Sequence, residues 1–364
     1  MARAGRPVQI FERAERLDPA HRTLIVTHRM RDLLGPLAER AVVNEIRRFE
    51  LFTDGRSATV PLDRPDLIVE RSHLIRELAR DAEGHGARIQ FGRRFASLQP
   101  DKGGIELGFE RTDKSARESV SVGAVVGADG AQSAVAQAAG WPRQPTVPLV
   151  QAVVKLPAGM PPDTVRVWFI PNDTPYFYWL IPESADRGVL GLIGVDGKET
   201  RRCLDQFLEK RNFTPLAFQG ARIPVYNGWV PVERAMGQGT VYLVGDAAGQ
   251  VKVSTVGGVV TGFRGALGVS EAILNGGRSH ELRSLRRELD LHLLIRRSIH
   301  RFGQSDYSRL VDWMNDAMRR SLSQVTRDEA ARVLWHICRT QPRLLLLGLR
   351  GLLNRSSLVP PERL

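Results

Sequence analysis

The stretch VYLVGDAAGQVKVSTVGGVVTG, residues 241 to 262, restricts what this chain can fold into more than any other part of it. Four apolar residues lead into Gly245-Asp246, small residues follow, and Gly257-Gly258 open a helical pattern. A short apolar run bounded by a turn signal reads as a buried strand, here entering a loop and then a helix. Small residues, Ala247 and Gly249 among them, let a bulky ligand approach the backbone. Asp246 supplies an acceptor for a hydroxyl-bearing chain, and an amide-rich helix start stabilises negative charge. An acid, four glycines and a helix start in one loop point to a binding site.

Two other stretches have related character. VQIFE (8–12) reads as a short buried strand ending in an acid, Glu12, with Arg13 beside it. In a doubly wound dinucleotide fold the second strand ends in an acid that accepts hydrogen bonds from a ribose. In GADGAQSAVAQAAG (127–140), an apolar strand runs into Asp129-Gly130 and a helix begins near Ser133. Gly130 permits a tight turn, and the turn exposes amides at a helix start. Elsewhere, Arg29 to Leu34 reads as a short helix closed by Gly35. Residues 46 to 62 read as a hairpin turning at Asp54-Gly55. Arg71 to Gly84 has helical spacing, with Leu74, Leu78 and Ala82 on one face. Residues 150 to 230 are strand-rich with one helix near 199 to 211, and the pattern from about 259 onward is helical.

In order and spacing, the three stretches resemble the FAD-dependent oxidoreductases of the aromatic hydroxylase type. That group includes hydroxylases, flavin halogenases and geranylgeranyl reductases. The resemblance covers most of residues 1 to 275 and implies an α/β fold. Its parts are a Rossmann-like FAD-binding domain, an inserted antiparallel β-sheet substrate domain and a helical C-terminal region. The expected divisions are 1–145 and 231–278 for the FAD-binding domain, 146–230 for the substrate domain and 279–364 for the helical region. The resemblance also implies residue roles. Glu12 and Arg13 lie at the adenosine ribose, and Asp129-Gly130 belong to the motif touching the pyrophosphate. Gly245, Asp246, Ala247 and Gly249 follow the ribityl chain, and Gly257-Gly258 sit beside the flavin pyrimidine edge. Arg71 matches a position where the family often has an arginine near FAD.

The family opens with a strand, a GxGxxG turn and a helix, the turn lying roughly 20 residues before the ribose acid. Only seven residues precede Val8, and ARAG reads as the last turn of that helix, stopped by Gly5. The expectation is a chain short of that first strand and turn, with weak FAD retention. It leaves open a cofactor-free remnant or binding protein.

PYFYWLIP (175–182) bears on the branch of the family. Period-2 alternation is expected to place Phe177, Trp179 and Ile181-Pro182 on one strand face. The stretch resembles the Y-x-W-x-F-P signature of geranylgeranyl reductases and the W-x-W-x-I-P signature of halogenases. GDAAGQVKVSTVGG resembles the reductase version, departing at Val253, where Pro is usual, and Val256, where Gly is usual. No lysine precedes Lys102, and halogenases need one in the flavin-adjacent first third. The resemblance therefore implies a reductase passing hydride from reduced flavin to a prenyl or other apolar substrate. Phe177, Trp179 and Pro182 would contact that substrate, and NAD(P)H or another reductant would supply the electrons. An oxygen-using monooxygenase is the alternative. Archaeal relatives often carry a cysteine after the second strand. HRTLIVTHR (21–29) has none, so His21 and His28 stand there by position only and no catalytic residue is assigned.

Charge adds a possible partner. Of the net charge of +12, residues 278 to 364 supply +8, from 17 Arg against 9 Asp or Glu. PRLLLLGLRGLLNR (342–355) is too short an apolar run to cross a bilayer, but a basic, apolar short helix can lie in a membrane interface. Anionic lipid is thus an expected peripheral partner, and nucleic acid is not, for want of a recognised binding motif. The start lacks the apolar core of a signal peptide, and two cysteines fit a reducing compartment, so the expected location is cytoplasmic.

Overall fold

A computed structural model describes residues 1–113 and 116–353. Its largest element is an eight-stranded sheet. In spatial order the strands are Pro215–Pro224, Thr146–Lys155, Arg187–Ile193, Tyr178–Pro182, Thr164–Trp168, Val42–Thr53, Arg56–Glu70 and Thr23–Val26. All neighbours pair antiparallel except Thr164–Trp168 and Val42–Thr53, which run parallel. That pairing joins the early hairpin to the later strands in one continuous sheet. The hairpin runs beyond the 46–62 span read from the sequence. It turns at Asp54 (φ 43°) and Gly55 (φ 74°), the two successive positive-φ positions of a type I′ turn.

Period-2 alternation gives this sheet two buried faces. Tyr178, Leu180, Leu190 and Leu192 face the Gly197–Lys210 helix and pack on Leu204 and Phe207. Asp196 caps that helix, accepting from the amides of Lys198 and Glu199 at 2.9 and 3.0 Å. On the other face, Trp179 and Ile193 meet Leu285, Leu289 and Leu293 of the His280–Ile299 helix. The later helices, Gln304–Asp312, Asp316–Ser323, Ala330–Thr340 and Arg343–Leu353, close over the hairpin through a cluster including Ala58, Val60, Tyr307 and Met318.

Smaller sheets carry the glycine-bearing turns. Gln9–Phe11 runs parallel to Arg88–Gln90, and Ala124–Gly127 runs parallel to Gly239–Leu243, which also pairs with Glu233–Met236. Parallel pairs with long crossovers are the doubly wound element of the fold. A meander of Arg93–Asp101, Gly104–Arg111 and Arg117–Val122 lies between them in sequence. Phe11 stacks on Phe109 (centroids 4.1 Å apart) and packs against the core that holds Val125, Leu243, Ala247 and Ala248. ARAG forms a short 3-10 turn over Ala2–Ala4 closed by Gly5 at φ 71°. Among the described residues no helix is long and apolar enough to cross a membrane.

Candidate functional site

Gly127 and Leu243 are register partners, so the 128–133 and 244–250 turns leave the same end of two adjacent parallel strands. Ligands of open α/β sheets bind in the crevice outside such carboxyl ends. Gly127 has no room for a side chain: a Cβ there would lie 2.9 Å from both Leu243 Cδ2 and Val135 Cγ1.

The Asp129 carboxylate is already engaged. It accepts from Ser133 Oγ at 2.5 Å and from the Val135 amide at 3.1 Å, while Ser133 Oγ accepts from Ala136 N at 2.9 Å. Its side chain therefore shapes the start of the Ala134–Ala138 helix, and the adjacent Gly130, at φ 84°, makes the turn.

The second turn is built differently. Gly245–Ala248 is a 3-10 turn that ends on Gly249 in the left-handed region, and the Gly245 amide donates to Gln250 Oε1 at 2.7 Å. Ala247 and Ala248 are buried. The Asp246 carboxylate accepts no hydrogen bond from the described residues, and burial pushes it above the usual carboxylate range. It lies beside Gly258, where a Cβ would sit 3.2 Å from Asp246 Oδ1. Gly258 is the N-cap of the 16-residue Val259–Leu274 helix, which has no side-chain cap. The turn thus pairs an acceptor lacking a donor with a helix start lacking an acceptor.

Two further positions stand apart from this turn. Glu12 is exposed at the end of its strand, accepting from the Ala14 amide at 2.8 Å, with Arg13 also exposed. Arg71 opens the Arg71–Gly84 helix, whose cap is Glu70, and donates its amide to the Arg22 carbonyl at 2.8 Å. Arg22 and Arg71 form no ion pair among the described residues. Burial and then the Arg71 charge hold Arg22 below the ordinary arginine range. The nearby Glu70 carboxylate bonds the Arg22 amide at 3.3 Å and not its guanidinium, so an anion would stabilise the Arg22 and Arg71 charges. Arg22 was not singled out from sequence, because only the fold sets it beside Arg71.

The aromatic strand faces the second turn. Phe177, Trp179 and Ile181 pack in one cluster with Val253 and Val256 of the loop that precedes Gly257. Trp179 lies over Gly191, where a Cβ would be 2.7 Å from Trp179 Cζ2. Pro182 is a correction to the sequence reading. Alternation sends it with Tyr178 and Leu180 to the opposite side of the strand, and Ile181 completes the Trp179 face. Val256 has φ 53°, a left-handed conformation uncommon for a β-branched residue.

Beneath this loop lies a polar network that sequence reading missed. Lys252, 4% exposed, forms an ion pair with Asp328, 2% exposed, and Thr27 Oγ1 donates to the same carboxylate. Lys252 N also donates to Gly257 O at 3.1 Å, so the pair anchors the loop. Ser254 Oγ lies 2.6 Å from His292 Nδ1, and His292 Nε2 lies 3.1 Å from Glu288 Oε1. Burial foremost, with the Lys252 charge, holds His292 below the ordinary histidine range, while Glu288 and Asp328 act in the opposite sense. Nothing local in sequence marks these groups, since their partners lie 38 and 76 residues away. Of the two positional candidates, His21 is largely exposed beside Glu70, and His28 is half-buried and held low by burial, then by Arg64.

The geometry fits a flavin dinucleotide at the ring end. Asp246 offers an acceptor for sugar-like hydroxyls, the uncapped helix start offers amides, and glycines replace side chains where the backbone must be approached. Comparison with known proteins agrees. A family profile described as "FAD binding domain" matches residues 2–276. A digeranylgeranylglycerophospholipid reductase of Methanothermobacter thermautotrophicus is 31% identical over 205 residues, 53% of this chain and 51% of that protein. The match thus spans about half the length of that curated relative. The solved structure of a geranylgeranyl bacteriochlorophyll reductase-like protein from Thermoplasma acidophilum superposes with a TM-score of 0.76 at 15% identity, covering 96% of this chain and 94% of that one. p-Nitrophenol 4-monooxygenase from Pseudomonas putida superposes with a TM-score of 0.60 at 16% identity, covering 98% and 94%.

Proposed function

This chain belongs to the FAD binding domain family, and from that premise we propose that it is an FAD-dependent oxidoreductase that reduces a carbon–carbon double bond of a prenyl or other apolar substrate. The observation that carries the reading is the shared packing of Phe177, Trp179 and Ile181 with Val253 and Val256. The loop that leads to the cofactor-facing helix start is covered by an aromatic, aliphatic face with no acid or lysine in it. Such a surface selects apolar area and excludes water.

Held here, FAD would supply the hydride-transfer chemistry of the reaction, with NAD(P)H or another reductant as the electron source. Asp246 would hold its ribityl hydroxyls, Gly257 and Gly258 would let its ring approach the backbone, and the Arg22–Arg71 pair would meet its negative charge. Trp179 and Phe177 orient the substrate. An isolated alkene also needs a proton, and the candidate donor is Ser254 Oγ, partly exposed on the loop and 2.6 Å from His292 Nδ1. His292 would resupply that proton, with Glu288, 3.1 Å from its other ring nitrogen, offsetting part of the cost of charging a buried imidazole.

The test is anaerobic turnover of a geranylgeranyl-bearing lipid by the FAD-loaded protein, read by mass spectrometry. A gain of one H2 per double bond without oxygen is expected. Product that forms only with oxygen, and that carries an added oxygen atom, would replace this reading with a monooxygenase.

A further inference from the structure

We propose that the outward faces of the Ala330–Thr340 and Arg343–Leu353 helices form a docking surface for an anionic lipid bilayer. The two helices contact each other and the His280–Ile299 helix. Their inward residues, Ile337, Leu344 and Leu347, join the cluster over the hairpin. Their outward residues are apolar as well: Trp335 is 55% exposed, Leu346 69% and Leu349 55%. Gly348 meets Ser298, and one turn before Ser298 on the same face lies Leu294, itself 45% exposed.

Arginines frame these apolar groups in a repeated pattern. Arg332, Trp335 and Arg339 are spaced three and four apart, as are Arg343, Leu346 and Arg350, so each set shares one helix face. The Arg339 guanidinium lies 5.4 Å from the Trp335 ring centroid. Arg343 and Arg350 meet no carboxylate among the described residues. From residue 330 to 353 the chain has four arginines and no aspartate or glutamate.

This combination argues for lipid. Leucine and tryptophan left in water forgo the favourable burial that an apolar environment would give them. Flanking arginines place their stems on apolar surface and their guanidiniums at phosphate level. Tryptophan favours the same headgroup depth. At 11 residues each, both helices can lie along a bilayer and neither can span it. The surface does not depend on the proposed substrate.

The test is co-sedimentation of the full chain with phosphatidylcholine vesicles, with and without phosphatidylglycerol. Binding to the anionic vesicles is expected to be about tenfold tighter or more, and to weaken with added salt. The double variant Arg343→Gln/Arg350→Gln should lose about fivefold per arginine. Leu346→Ser/Leu349→Ser should lose vesicle binding while keeping the wild-type circular dichroism and thermal midpoint. Equal, weak binding to both vesicle types, or anionic binding unchanged in both variants, would overturn the proposal. A concentration-dependent dimer in sedimentation velocity that the leucine variant dissolves would assign the surface to a second copy of the chain instead.

Discussion

Breaking the Lys252–Asp328 pair should be among the most damaging single changes available in this protein. Both groups are at least 96% removed from solvent, and Asp328 holds Thr27 as well as Lys252. Asp328→Asn leaves the Lys252 ammonium buried without a counter-charge, which costs about 3–5 kcal/mol. At about 1.4 kcal/mol per tenfold, the unfolded fraction rises between about a hundredfold and a few thousandfold. Lys252→Met strands the carboxylate in the same way, softened by Thr27 and Arg327. Replacing both, as in Lys252→Met/Asp328→Leu, removes the charges together. It should come within about 1 kcal/mol of wild type, the residual being the Thr27 hydroxyl left without an acceptor. Chemical denaturation of the four proteins, followed by circular dichroism, closes the cycle. A coupling energy below about 1 kcal/mol would refute the reasoning. The same pair sets an acid limit. Burial would raise the Asp328 carboxyl, but the Lys252 charge and hydrogen bonds from Lys252 and Thr27 outweigh it and hold it far below the usual range. Its contribution is therefore complete above the unfolded value of 3.8 and disappears as pH falls towards the folded one. Asp328→Asn should abolish that part of the acid dependence. Because the ion pair fixes the Lys252 backbone, whose amide donates to Gly257 O, the single variants should lose FAD affinity along with stability.

Other expectations follow from the same geometry. Asp246→Asn should weaken FAD binding by about tenfold, as one hydrogen bond to a charged acceptor is lost, yet raise the apoprotein's thermal midpoint by removing a half-buried carboxylate that has no donor among the described residues. A lowered midpoint with unchanged FAD affinity would remove Asp246 from the site. Glu70→Ala should cost about 1–2 kcal/mol, because Glu70 caps the Arg71–Gly84 helix through the Ser72 and His73 amides. Burial opposes its charge, but bonds from Ser72, His73 and Arg22 bring its pKa to about 2, so this stability is lost as pH falls from 4.5 towards that value. A urea midpoint for Glu70→Ala that tracks wild type from neutral pH down to acid would contradict this. Ser254→Ala should leave FAD binding intact, lower turnover by about a hundredfold and shift its pH profile. A His292 nitrogen NMR titration that is the same in wild type and Ser254→Ala would show that the two side chains do not share a proton.

Local chemistry made much of this protein readable in one dimension. Gly35 closes the Arg29–Leu34 helix, Gly258 opens the Val259–Leu274 helix, and Asp54-Gly55 turns the hairpin. In each case a few neighbouring residues dictate the backbone through φ, local amide hydrogen bonds or apolar spacing, and no distant partner is required. The family-bearing glycine turns were legible for the same reason. Tertiary structure alone decided that Val42–Thr53 pairs with Thr164–Trp168 and that Arg22 stands beside Arg71. It also brought Lys252 to Asp328 and Ser254 to His292. A charge or a proton partner carries no local signature, because its worth depends on desolvation, and desolvation exists only once segments far apart in sequence have closed over it.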